Sequence, residues 1–400
     1  METNNSLKYL LNLAFLFLLL SCKNQEKKEI AQHIENENLI NEDSLVPIGF
    51  TKLPKKYIEQ KKILVESFFN EHINQKDEFN GSFLVAKNGQ IIFEKYQGKS
   101  NFATNELITK ETPLHLASIS KVLTASAIFR LIDTEKLTLD EKVKTILPTF
   151  PYTTITIRML LSHRSGLPKY GNFTEPEKIW GRSKTLHNAD VLNLLGKHNI
   201  PLDFKPNSKF AYCNTNYAIL ALVIEKMSNL SFSNAMQNLV FKPLKMDNTF
   251  VFELENDKNN VSQSYKSTRE KVPFDQLDAI YGDKNIYSTP QDLLKFDLAT
   301  YSNDFISEKL KKEIFKGYSY EKKGIKNYGL GIRLREWETG QKVFYHNGWW
   351  HGNTSSYITL KNDTVTMIAL SNKYTRKVYQ TMKISALFGD YPFKLNEESE

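Results

Sequence analysis

Apolar residues recur at helical spacing through Tyr57, Ile63, Leu64, Phe68, Phe69 and Ile73, which predicts a helix opening the folded part near Pro54. Two β-type runs follow, Ser82 to Ala86 and Gln90 to Tyr96. They are joined through Lys87-Asn88-Gly89, and Asn-Gly is the strongest short hairpin signal. The run Val122 to Leu131 predicts a buried helix. From about 140 to 280 helical patterns dominate, clearest over Asn216 to Met227 and Phe232 to Phe241. Thr289-Pro290 opens another helix, Gln291 to Tyr301, with Thr as N-cap and Pro at the first helical position. Strand-like runs return at Tyr328 to Leu334, Lys342 to His346, Thr354 to Leu360 and Thr364 to Leu370, and Thr375 to Leu387 reads as a final helix. Strands at both ends and helices between predict an α+β fold: one antiparallel sheet built from N- and C-terminal segments, flanked by helices, with a mainly helical insertion.

The N-terminus changes the picture. Lys8 precedes the apolar run Leu10 to Leu20, too short to span a bilayer but the right length for a signal-peptide core. Leu19-Leu20-Ser21-Cys22 resembles the lipobox of bacterial lipoproteins, which implies removal of residues 1–21 and lipidation of Cys22. Residues 22–53 are polar and without sustained period, and read as a flexible tether. The expected organisation is then a domain over 54–390, with a helical subdomain at roughly 140–280 and a polar tail at 391–400. The only other cysteine, Cys213, has no partner if Cys22 carries lipid. The expected location is the cell envelope, on the periplasmic face or outer-membrane surface, with the membrane reached through the lipid on Cys22.

Composition adds less. Of 400 residues, 40% are apolar and 24% charged, as in ordinary globular proteins. The net charge of +8 comes from scattered lysine pairs such as Lys55-Lys56 and Lys311-Lys312. No basic stripe interleaved with aromatics appears, which argues against nucleic-acid binding. His346 and His351 lack a patterned third ligand, so neither a metal nor a cofactor is expected.

The candidate chemistry begins at Ser118-Ile119-Ser120-Lys121, where a polar loop gives way to the Val122 helix. Serine and lysine three apart share one helical face, and a buried lysine can help activate the hydroxyl as a nucleophile. The pattern occurs twice. The second copy, Ser319-Tyr320-Glu321-Lys322, lies in a Lys-rich polar stretch and reads as a solvated loop. Tyr212-Cys213-Asn214, just before the Asn216 helix, offers a base for the serine proton, although Tyr170-Gly171-Asn172 and Tyr301-Ser302-Asn303 match the same pattern. His346-Asn347-Gly348 is the one His-x-Gly triplet and ends a predicted strand. A glycine there lets a substrate backbone lie against the strand, and the following amide, Trp349, can point at a developing oxyanion.

In this order, the three elements resemble those of the serine β-lactamase and penicillin-binding-protein superfamily, with Tyr-x-Asn as the middle element as in class C β-lactamases, D-Ala-D-Ala carboxypeptidases and their esterase relatives. The resemblance extends over Ile157 to Pro168, Pro243-Leu244-Lys245-Met246 and Tyr328-Gly329-Leu330-Gly331. It implies that Ser118 forms an acyl-enzyme and that Lys121 shares its proton. Tyr212 would be the general base, and Asn214 would hydrogen-bond Lys121 or the substrate amide. The N–H groups of Ser118 and Trp349 would form the oxyanion hole, with His346 and Gly348 lining the substrate. Histidine at 346, where relatives commonly place a lysine, points to the esterase and peptidase-like branch and a small ester, amide or peptide substrate. Two alternatives stay open: a slow-acylating muropeptide- or β-lactam-binding lipoprotein, and a true class C-type β-lactamase. His163 reads as structural, and Cys213 as a small packing residue.

Overall fold

The computed structural model describes residues 49–395. The leader, Cys22 and most of the tether fall outside the described residues, as does the end of the polar tail.

Seven antiparallel strands form the central sheet: β1 (Gly81–Lys87), β2 (Gln90–Gln97), β3 (Lys326–Tyr328), β4 (Arg333–Glu336), β5 (Lys342–Trp350), β6 (Asn353–Leu360) and β7 (Val365–Ser371). Their spatial order is β2-β1-β7-β6-β5-β4-β3. The β1–β2 hairpin turns at Asn88 and Gly89, both left-handed at φ +51° and +72°, as a two-residue turn of this hand requires. Strand β1 then pairs with β7 in the register Gly81↔Ser371 to Lys87↔Val365, so the two ends of the domain meet at mid-sheet. Every residue of β6 and β7 is buried, because both faces of the sheet are covered.

On one face lie helix α1 (Lys55–Phe68) and the C-terminal segment Lys377–Leu387. Val65, Phe68, Phe69, Phe83, Val85, Ile358, Met367, Val378 and Ile384 share the core beneath them. Helix α1 forms where the spacing places it, but Ile63 and Leu64 point outward, and Ile63 is 68% exposed. The C-terminal segment is a 3₁₀-helix rather than the expected α-helix. It buries Val378, Thr381, Met382, Ile384 and Ser385.

The other face carries α2 (Ser120–Asp133), α3 (Ile157–Leu161), α4 (Thr215–Ser228) and α5 (Pro290–Ala299). Twelve consecutive residues of α2, Ser120 to Leu131, are buried, and so are Thr215 to Ile224 of α4. Helices apolar on every side belong in an interior. The run Tyr328 to Leu334, predicted as one strand, splits into β3 and β4. Gly331, at φ +80°, turns its N–H onto the Leu161 carbonyl (3.2 Å), and a Cβ there would strike Ala125 of α2. The broken strand therefore lets the sheet edge press against α2. Among the described residues no helix is long and apolar enough to cross a membrane.

Candidate active site

Ser118 sits in the single 3₁₀ turn Ala117–Ile119 that feeds α2. Lys121, one turn on, is fully buried. Its Nζ donates to Ser118 Oγ at 3.2 Å and to the Asp283 carbonyl at 2.6 Å. The carbonyl fixes the amine beside the hydroxyl. The second serine–lysine copy lies in a loop, where Glu321 pairs with Arg164 and Lys322 is exposed.

Tyr212 lies in the extended segment leading to α4 and faces the same pocket. The Lys121 Nζ is 5.1 Å from its ring centre. Its hydroxyl is buried and has no hydrogen-bond partner, so neither Ser118 nor Lys121 engages it directly. The bed beneath Tyr212 comes from the phrase after α3. His163 Nδ1 accepts from the Cys213 N–H (3.2 Å) and faces Asn216 Nδ2 (3.0 Å), and its ring centre lies 4.4 Å from that of Tyr212. A backbone N–H can only donate, so Nδ1 is bare and the ring is neutral. Burial first, then the charges of Lys121 and Arg333, push the His163 pKa well below its ordinary value. Ser165 Oγ in turn bonds Asn216 Oδ1 (2.5 Å). Cys213 packs inside this bed, with its thiol pKa raised by burial.

Asn214 caps α4, yet no hydrogen bond joins it to Lys121; the lysine is held by Asp283 instead. The Asn214 side chain reaches the Tyr170 hydroxyl, while its Oδ1 is buried without a partner. Tyr170 donates to Asp283 Oδ2 (2.7 Å) and accepts from Lys284 Nζ (2.9 Å). Tyr170 belongs to one of the competing Tyr-x-Asn triplets, and it proves to be a buttress behind the site. Burial lowers the Lys284 pKa, against the opposing pull of Asp283.

Strand β5 closes the pocket, running through His346, Asn347 and Gly348 to Trp350 rather than ending at the triplet. A Cβ on Gly348 would collide with the Leu116 carbonyl, Ser355 Oγ and Ala117. The glycine therefore brings β5 against the turn that carries Ser118, and the next residue on each segment is Trp349 and Ser118. His346 is fully buried. Its Nδ1 lies 2.9 Å from the Asn347 carbonyl and its Nε2 3.2 Å from the Tyr328 hydroxyl. The carbonyl only accepts, so Nδ1 carries the hydrogen and Nε2 accepts from Tyr328. Burial, Arg333 and Lys121 together hold the His346 pKa well below its ordinary value. His346 is a neutral ring, not a cation.

The cation is Arg333, which sequence reasoning missed. From β4 its guanidinium carbon stands 4.7 Å from the Tyr212 ring centre and 5.7 Å from that of Tyr328. A charged residue in the apolar run Tyr328 to Leu334, two places after a glycine, was the available signal. Trp349 is 61% exposed at the rim. Trp350 Nε1 and His351 Nε2 both bind Asp278, at 2.6 and 2.9 Å. Asp275, Asp278 and His351 are grouped as metal ligands would be. The Asp278 oxygens, however, are already occupied by Trp350, His351 and the Asp275 N–H.

A seven-stranded antiparallel sheet backed by helices, with a serine and a buried lysine at the mouth of its central helix, is the architecture of the β-lactamase and penicillin-binding-protein superfamily. The chain belongs to the Beta-lactamase family, whose profile matches residues 65–387. It is 29% identical over 361 residues to Penicillin-binding protein 4* of Bacillus subtilis, across 85% of this chain and 78% of that protein. The penicillin binding protein from Bacillus halodurans superposes with a TM-score of 0.69 at 23% identity, over 81% of this chain and 99% of that one. The D-amino acid amidase from Ochrobactrum anthropi gives 0.64 at 19% identity, over 82% and 99%. These two likenesses establish the fold.

Proposed function

We propose that the protein is a serine hydrolase of the class C-related branch, exported and held at the envelope by lipid on Cys22, which cleaves a small ester, amide or peptide through an acyl-enzyme on Ser118. The observation that carries this reading is the 3.2 Å approach of the buried Lys121 Nζ to Ser118 Oγ, with Lys121 itself pinned by the Asp283 carbonyl. As Ser118 Oγ attacks the substrate carbonyl, its proton passes to Lys121 as a neutral amine and on by way of Tyr212 to the leaving group, whose bond to the acyl carbon breaks. The carbonyl oxygen gains negative charge facing the amides of Ser118 and Trp349. The Tyr212 hydroxyl, buried and without a hydrogen-bond partner in the fold, is the group left to relay a proton to the leaving group or from the deacylating water.

Arg333 refines the substrate class. Among the described residues its guanidinium has no carboxylate partner, and it stands over the Tyr212 ring near the neutral His346. It supplies the fixed cation missing from the third motif, and favours substrates carrying a carboxylate near the scissile bond, such as a peptide ending in a D-amino acid. The penicillin-binding relative accords with this class of substrate. The test is a panel of nitrophenyl esters, D-Ala-D-Ala peptides, D-amino-acid amides and β-lactams, assayed with wild type and Ser118→Ala. Turnover and fluorophosphonate labelling lost in Ser118→Ala are expected. Turnover unchanged in that variant would overturn the mechanism.

A further inference from the structure

His115 lies three residues before Ser118, in the two-residue strand Leu114–His115 paired with Ile286–Ser288. It is 3% exposed, and its ring meets Tyr287 edge-on at 4.9 Å. Its Nδ1 stands 3.0 Å from the backbone nitrogen of Ala117. The amide can only donate, so Nδ1 is the bare nitrogen. Ala117 is left-handed, at φ +49°. Such a conformation is costly for any residue with a Cβ and persists only where its surroundings impose it. The neighbouring ties act elsewhere: Leu116 donates to the Ile286 carbonyl, and its own carbonyl accepts from Ser355 Oγ. The one bond made by the Ala117 amide is to His115.

We propose that His115 is a positioning residue for the nucleophile: its bare Nδ1 holds the Ala117 N–H, and with it the left-handed turn that presents the Ser118 hydroxyl and amide to the substrate. The inference rests on Ser118 being the nucleophile. The role requires a neutral ring, and burial holds the His115 pKa down to about 4, helped by His351 and Lys284 and opposed by Asp278 and by the hydrogen bond with Asn285. The edge-on contact with Tyr287 fixes the ring plane, so Nδ1 is aimed before any substrate arrives.

The test compares full-length wild type with His115→Phe, His115→Asn and the double variant His115→Phe/Ala117→Gly. The readouts are the rate of Ser118 labelling by a fluorophosphonate, kcat and KM on a nitrophenyl ester, and circular dichroism. Phenylalanine keeps the packing on Tyr287 and removes the acceptor. Labelling and kcat should fall about tenfold or more with KM little changed. Asparagine places Oδ1 where Nδ1 was and should retain most of the rate. Glycine at 117 relieves the backbone cost and should restore part of what His115→Phe loses. If His115→Phe does not fold, His115→Asn against His115→Gln makes the same comparison, because glutamine's oxygen reaches past the amide and should label slowly. Equal labelling of wild type and a folded His115→Phe, or of Asn and Gln variants, would overturn the role of His115 and leave Ser118 standing. A wild type that takes no label would instead remove the nucleophile itself.

Discussion

Arg333 stacks its guanidinium 4.7 Å from the centre of the Tyr212 ring, while Lys121 Nζ lies 5.1 Å from the same ring. A guanidinium and the lysine amine thus flank one phenol whose oxygen makes no hydrogen bond among the described residues. Negative charge passing through that oxygen during proton transfer would be favoured by Arg333, and a planar guanidinium suits the stacked position better than an ammonium would.

Replacing Arg333 should therefore separate substrates. On a D-Ala-D-Ala peptide, Arg333→Ala should lose at least about tenfold in kcat/KM, as expected for a lost charge-assisted contact. The same peptide with an amidated C-terminus, or a neutral nitrophenyl ester, should lose clearly less. Equal losses on charged and neutral substrates would show that Arg333 acts on Tyr212 alone.

Tyr212→Phe should cost activity and spare stability. Loss of a general base lowers kcat by about 10²- to 10⁴-fold. The hydroxyl is buried and unsatisfied, so its removal deletes a desolvated group without breaking a bond. The melting temperature should hold or rise, as a thermal melt beside the kinetic assay would reveal. A marked drop in melting temperature would mean that the phenol is structural.

Gly348→Ala should be damaging out of proportion to one methyl group. The added Cβ meets the Leu116 carbonyl, Ser355 Oγ and Ala117, and two of these are not free to move. Strand β5 must then retreat from the nucleophile turn, and fluorophosphonate labelling should fall with kcat while the far side of the sheet stays intact. Full labelling of this variant would show that the approach of β5 to Ser118 is not needed.

Acid should destabilise the fold over a defined window. His115 is neutral in the folded protein down to about pH 4, whereas in the unfolded chain it takes a proton near 6.5. Between these values the unfolded state binds more protons, so stability falls as pH falls, by up to about 3 kcal/mol for this one side chain. His163 and His346, both depressed well below their ordinary value, add in the same direction. Melting temperatures should decline from pH 6.5 to 4, and His115→Asn should shallow the slope. A flat profile would contradict buried neutral histidines.

Much of this was legible in the chain. The Asn-Gly turn between β1 and β2, the apolar run of α2 and the cap at Thr289 each announce a local structure that the tertiary fold keeps. The serine–lysine pair was separable from its duplicate by its apolar flank alone. What escaped depended on long-range partners. Arg333 reads as one more charge until β4 turns it onto Tyr212. His346 stands where relatives commonly place a lysine and reads as largely neutral, and its burial beside Tyr328 holds it so. The carbonyl of Asp283, which fixes Lys121, has no side-chain signature at all. Asp278 stands far from His351 in sequence and finds it only through the fold.

The meeting of β1 with β7 has a consequence for how the molecule comes into being. Ser371 Oγ bonds the carbonyl of Asn80, 291 residues earlier. Until the last strand emerges, β1 and β6 both present unpaired edges, and the centre of the sheet is a gap. Synthesis of the domain must therefore be almost complete before the sheet can close, which keeps the nascent chain open and threadable for most of its length. A chain cut short before Val365 would be left without a working core, not merely without a tail.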